Sequence, residues 1–131
     1  MKAIADTGFL VALRNVRDQH HAWAKGVAEN ITEPLLTCEA VLAETAWLLD
    51  TGRALSFVTE GLVRIAFPMP DHLDRLQELA ARYQDRRPDL ADLCLIRMSE
   101  LHPKHFVITT DVTDFGVYRR GRREVIPLIH P

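Results

Sequence analysis

Two short apolar runs in this sequence, Ala3-Ile4-Ala5 and Val107-Ile108-Thr109-Thr110, lead straight into an aspartate, Asp6 and Asp111. Runs that are largely apolar rather than alternating suit strands covered on both faces, and such strands belong to parallel sheets flanked by helices. The rest of the pattern agrees. Strand-like runs over residues 2–5, 34–37 and 106–109, a brief extended piece at 66–69 framed by Pro68 and Pro70, and a last run at 124–129 alternate with helical periodicity. The helical stretches are 7–16, 20–28, 39–50, 54–65, 71–83 and 89–101, with Gly52 read as the stop beyond the third. In the fifth, Leu73, Leu76, Leu79, Ala80 and Tyr83 recur at the spacing of one helix face. Alternating strands and helices predict an α/β layer fold with a mostly parallel sheet of four to five short strands. With 131 residues, 47% of them hydrophobic, residues 1–131 are expected to form a single domain around one core.

Net charge is only −2. A protein that holds nucleic acid by simple electrostatics is usually basic, so any such role here has to rest on local patches or on bound metal ions. The cysteines, Cys38 and Cys94, sit among apolar residues and read as reduced, buried core thiols. The first residues turn charged too early for a signal peptide, and no apolar run is as long as a membrane span. A cytoplasmic location with no membrane partner is the expectation.

Ligands of open parallel sheets bind beyond the carboxyl ends of the strands. Asp6 and Asp111 both fall at that edge, and they converge if their strands are neighbours. Taken singly, each is equally well explained as the cap of the following helix. Glu44 lies mid-helix with Ala40, Val41, Trp47 and Leu48 three or four residues away, all apolar. A carboxylate on a buried stripe costs several kcal/mol unless it is paired or binds metal. Glu39, in the first turn of the same helix, suits the helix dipole and reads as structural. Asp89 and Asp92 follow Pro88 at a helix start. A cap explains Asp89, but Asp92 shares its face with Leu95 and Ile96, and two like charges on one turn repel unless a cation sits between them. Asp6, Glu44, Asp92 and Asp111, with Asp89 and Asp114 nearby, therefore suggest one acidic pocket. Carboxylates without Cys or convergent His favour Mg²⁺ or Mn²⁺. Such ions polarise a phosphodiester and activate water, and they let a mildly acidic protein accept a polyanion. No His or Lys is placed as an obvious general base, so the attacking water is expected to lose its proton with metal assistance.

Four segments carry a resemblance to a known family: Ile4-Ala5-Asp6-Thr7-Gly8-Phe9-Leu10, Val41-Leu42-Ala43-Glu44, Pro88-Asp89-Leu90-Ala91-Asp92-Leu93, and Ile108-Thr109-Thr110-Asp111 running into Asp114-Phe115. In this order and spacing, over essentially the whole chain, the sequence resembles PIN-domain proteins, specifically VapC-type toxin ribonucleases of bacterial type II toxin–antitoxin pairs. The resemblance implies a PIN-like three-layer α/β/α fold, often a homodimer. It implies Mg²⁺- or Mn²⁺-dependent endonucleolytic cleavage of structured RNA, and inhibition by a cognate antitoxin that inserts near the active site. Carried over residue by residue, Asp6, Glu44, Asp92 and Asp111 are the catalytic, metal-holding acids. Asp89 is an accessory acid, and Asp114 stands where the family often has an acid before Phe. Thr7 matches a small hydroxyl residue that helps orient water at the metal. One departure is Leu93, where Ala commonly follows the acid matched to Asp92.

Outside those motifs, Arg119, Arg120, Arg122 and Arg123 cluster around Gly121. They read as a solvated loop, as phosphate contacts for RNA, or as a surface for an acidic antitoxin segment. Arg82, Arg86 and Arg87 precede the Asp89 turn and border the pocket in the same way. Trp23 and Trp47 read as core or dimer-interface residues. His20 and His21, being adjacent, point apart and do not suggest a joint metal site. Asp6-Thr7-Gly8 also matches the aspartic-protease triplet, which requires an all-β fold that the helical content argues against. An α/β phosphatase commonly wants a second acid two residues after the first, where this chain has Gly8. A PIN-like module that binds RNA or protein without cleaving is the remaining alternative, disfavoured by the completeness of the acid set.

Overall fold

Ala3–Ala5 (β1) and Leu35–Thr37 (β2) are buried at every residue. Successive residues of a strand point to opposite faces, so both faces of the sheet are covered. The computed structural model describes residues 1–131. After β1 come Thr7–Arg14 (α1) and His21–Ala28 (α2), and after β2 come Glu39–Leu48 (α3), Thr51–Thr59 (α4) and Val63–Ile65 (β3). Leu73–Arg82 (α5) and Leu90–Leu101 (α6) lead to Phe106–Ile108 (β4), a short helix Val112–Phe115 (α7), and the strands Arg119–Arg120 (β5), Glu124–Val125 (β6) and Leu128–Ile129 (β7). The main sheet has five strands in the order β3-β2-β1-β4-β7, paired in parallel throughout. β5 and β6 form a separate antiparallel hairpin. This is the expected α/β architecture. Cys38 and Cys94 are free and buried, as read, and no helix is long and apolar enough to cross a membrane.

Parts of the sequence reading need correction. The helix expected over 54–65 ends at Thr59: Gly61 takes a φ of 81°, open to glycine and costly for other residues, and the chain turns into β3. The extended piece thus belongs at Val63–Ile65 rather than 66–69, where a 3₁₀ turn already begins at Met69. Gly52 is not a stop, because Asp50 caps α4 through Oδ1, which accepts from Arg53 N at 2.7 Å, and Gly52 sits in that helix's first turn. The run 124–129 divides in two. Glu124–Val125 closes the hairpin, Ile126 is buried, and Pro127, which has no N–H to give a ladder, accepts from Val107 N as the chain enters β7. Trp23 packs edge-on against Phe9 in the core, but Trp47 is 87% exposed.

Candidate active site

The chain adds β2 and β3 on one side of β1, then crosses back and lays β4 on the other side. Connections leave β1 and β4 in opposite directions at such a reversal, which opens a crevice past their carboxyl ends. Asp6 and Asp111 stand there. Asp6 N donates to Ile108 O at 3.0 Å, carrying the β1–β4 pairing one step beyond the strand. Asp6 Oδ1 accepts from Thr7 N at 2.7 Å and caps α1. Asp6 Oδ2 accepts from Thr109 Oγ1 at 2.7 Å, and Thr109 Oγ1 itself accepts from Asp111 N at 2.9 Å. One hydroxyl thus ties both acids together. Asp111 Oδ1 in turn caps α7, accepting from Asp114 N at 3.0 Å. Asp6 is 8% exposed. Burial pushes its carboxyl up from 3.8 to about 6, with Thr109 and Thr7 pulling the other way and Asp111 and Asp89 adding to the rise.

Two helices bring the remaining acids. Asp89 caps α6, its Oδ1 accepting from Asp92 N at 2.9 Å. Burial, then the charges of Asp89 and Asp6, push Asp92 up to about 7, and a bond at 3.1 Å from Tyr118 Oη to its Oδ2 eases the anion. Tyr118 is fully buried, and burial together with Asp92 raises its phenol well above the usual range, so it stays a donor. Glu44 is raised by burial, then by Asp89 and Asp6, and lowered by the Thr7 side chain. The structure therefore gathers Asp6, Glu44, Asp89, Asp92 and Asp111 into one field of mutually repelling like charges. The side chains as they stand draw no three of them close enough to ligate one ion. Asp6, Asp89 and Asp111 each spend an oxygen on a helix cap, and like charges spread apart.

Glu44 belongs to this field for a different reason from its apolar neighbours. Trp47 and Leu48 are exposed, and α3 buries Val41, Leu42 and Thr45 instead. Glu44 is half-buried because it faces the other acids, not the core. Asp114 is not left to the group either: its Oδ1 pairs with Arg86 at 2.8 Å.

The donor set is oxygen only, which suits a hard divalent cation. Thr7 Oγ1 is buried and has no partner at full hydrogen-bonding distance; its nearest polar neighbour is the Glu44 carboxylate, whose anion it favours.

The arginines divide. Arg119 turns its guanidinium back on the carbonyls of Gly116 and Tyr118, while its N–H donates to Tyr83 Oη. Arg120 is buried, bonded to Glu124, to Pro103 O and, at 3.5 Å, to Ser99 O, so the expected phosphate contact is not presented. Arg122 alone of the three is exposed without a partner. Sequence reasoning missed Thr109 and Tyr118. The signal for Thr109 was a hydroxyl residue closing an apolar strand two positions before an acid. Tyr118 offered none.

Gly8 brings α1 against the end of β4. A Cβ there collides with Thr110 Oγ1 and presses on Thr110 Cβ at 3.3 Å. Gly8→Ala is expected to cost roughly 1–3 kcal/mol, read as a lower urea midpoint. An unchanged midpoint would show that the two segments part freely.

The family model of the PIN domain matches residues 3–116. No curated protein sequence matches the chain at a significant level. Among solved structures, the crystal structure of VapC20 from Mycobacterium tuberculosis, a sarcin–ricin loop cleaving toxin, is similar with a TM-score of 0.68 at 20% sequence identity. The match covers 88% of this chain and 95% of that one.

Proposed function

The chain belongs to the PIN-domain family, and on that premise we propose that it is a VapC-type endoribonuclease, the toxin of a type II toxin–antitoxin pair. The observation that carries the reading is the convergence of acids from β1, α3, α6 and β4 on one field at the sheet's switch point. Asp6, Glu44, Asp92 and Asp111, with Asp89 beside them, would hold Mg²⁺ or Mn²⁺. When bound, such an ion offsets charge on the phosphodiester and supplies an activated water. The chain's own residues do the positioning. Thr109 fixes Asp6 relative to Asp111, Tyr118 holds Asp92, and the Thr7 hydroxyl, beside Glu44, would orient a water. Asp114, held by Arg86, is assigned the lesser role of bracing that edge of the site.

The partners follow from the same reading: structured RNA as substrate, a cognate antitoxin as inhibitor, and a cytoplasmic setting. Exposed Trp47, Leu48 and Leu55 on α3 and α4 support packing of a second copy as a homodimer. The spacing of the acids is the one observation on the side of an inactive binding module. Repulsion among like charges explains that spacing equally well.

Purified protein is expected to cut structured RNA, with the sarcin–ricin loop as the first substrate to try, in Mg²⁺ or Mn²⁺, and to stop when EDTA is added. Cleavage that persists in EDTA would overturn the reading.

A further inference from the structure

A cleft of about 560 Å³ lies between α5, α6 and the β5–β6 hairpin, and its ten lining residues include five arginines, three glutamates and no hydrophobic side chain. Its floor is rigid. Glu100, with a side chain 9% exposed, accepts from Arg75 Nε at 3.0 Å, from Arg97 at 3.2 Å and from Gly121 N at 2.7 Å. Arg120, buried at the back, is held by Glu124 and Pro103 O. Arg75, Arg97 and Arg120 are thus matched in number by Glu78, Glu100 and Glu124. Two cations at the mouth are not matched. Arg82 bonds only to the carbonyl of Gly121, which leaves its charge whole, and Arg122 has no partner. Wide, lined mainly by charged side chains and positive by two charges, the cleft is built for an oxyanion rather than an apolar group.

Its position says which one. Tyr118, whose hydroxyl reaches Asp92, and Arg120, which walls the cleft, are two residues apart on one chain segment, roughly 7 Å. On α6, Asp92 and Glu100 are separated by eight residues, roughly 12 Å along the axis. The cleft is therefore a few nucleotides from the acidic field, on the same helix. The geometry points to a second, non-catalytic site that seats backbone phosphate of the RNA strand flanking the scissile bond, gripped by Arg82 and Arg122. This rests on the ribonuclease reading and deepens it. It also explains how RNA is held by a chain of net charge −2: attraction is concentrated at one place beside the acids.

The test is RNA binding by fluorescence anisotropy over a salt series in Mg²⁺, in an Asp6→Asn background so that the RNA stays intact. Arg82→Gln with Arg122→Gln is expected to weaken binding on the order of tenfold and to flatten the log–log salt slope by about 1.4, the value for two phosphate contacts on a single strand. Both side chains are at the surface, so the melting temperature should hold. Arg17→Gln with Lys25→Gln, an equal loss of charge elsewhere on the surface, is expected to leave affinity and slope near the parent. If wild-type protein cuts RNA and the cleft variant binds like its parent, or the control weakens binding as much, the cleft proposal falls alone. Pyrophosphate that raises the melting temperature of the parent but not of the cleft variant, with RNA affinity unchanged, overturns the RNA assignment in favour of a free phosphate ligand. Wild-type protein that neither binds nor cuts RNA ends the ribonuclease reading and this one with it.

Discussion

Asp6→Asn is expected to reduce RNA cleavage by on the order of a thousandfold while leaving the fold in place. Loss of one anionic ligand withdraws several kcal/mol of charge stabilisation from a phosphodiester transition state, and about 4 kcal/mol is a thousandfold in rate. The fold survives because Asn is the same size and still caps: its carbonyl can accept from Thr7 N as Asp6 Oδ1 does at 2.7 Å. The amide faces Thr109 Oγ1, which already accepts from Asp111 N, so the hydroxyl must turn its own hydrogen elsewhere. That rearrangement is small beside the relief of removing a buried anion. Urea unfolding without metal at pH 8 should show the variant at least as stable as wild type. Steady-state cleavage and that unfolding curve are read on the same preparation. Undiminished cleavage would place the chemistry elsewhere, and gross loss of stability would make Asp6 a structural residue rather than a functional one.

That one substitution separates activity from stability reflects how the site is encoded. Asp6 and Asp111 were legible because each ends an apolar strand, a local pattern that also fixes the sheet edge where they meet. The tie between them was not, since Thr109 and Asp6 are 103 positions apart and nothing in either segment names the other. Tyr118 was invisible for the same reason: its partner Asp92 is 26 residues upstream, and an aromatic residue ahead of a run of arginines reads as loop or core. Glu44 shows the opposite case, a residue that does stand beside the other acids but was reached through a wrong premise. Its apolar neighbours suggested a buried stripe, but α3 turns Trp47 and Leu48 outward. Periodicity reports that a helix has apolar positions without telling which of them a monomer covers. The misplaced boundary at 54–65 has a similar origin. Leu55, Val58 and Leu62 keep helical spacing across Gly61, and only the positive φ at that glycine shows where the helix ends. Arg120 joined the expected phosphate ligands because charge runs look alike in sequence, whereas the hairpin alternates its two faces and buries Arg120 while Arg119 stays partly exposed.

Without divalent cations, the protein is expected to be most stable at about pH 4 and to weaken as the pH rises to 8, the reverse of ordinary carboxylate behaviour. In the unfolded chain Asp6 titrates near 3.8, and in the folded protein near 6. Between those values the folded state keeps a proton that the unfolded state has given up, so stability falls as pH rises through the window and stays low above it. For a group this deeply buried the loss is roughly 3 kcal/mol. Asp92, folded value about 7, extends the fall to neutral pH. Glu100 works in the other direction: its arginines hold it below its usual range, so its contribution is lost only as pH drops beneath about 4.5, and this sets the acid side of the optimum. A divalent cation removes the penalty at high pH because it binds the anions and only in the folded arrangement. At a hundred times its dissociation constant it contributes about 2.7 kcal/mol, or a rise in melting temperature of about 10 °C. Melting curves at pH 5 and pH 8, with and without Mg²⁺, measure both effects. Asp6→Asn should flatten the pH profile and blunt the response to Mg²⁺. A wild-type protein whose stability climbs from pH 5 to pH 8 and ignores the cation would mean that these carboxylates are neither buried nor crowded in solution, and the acidic field would lose its claim to hold a metal.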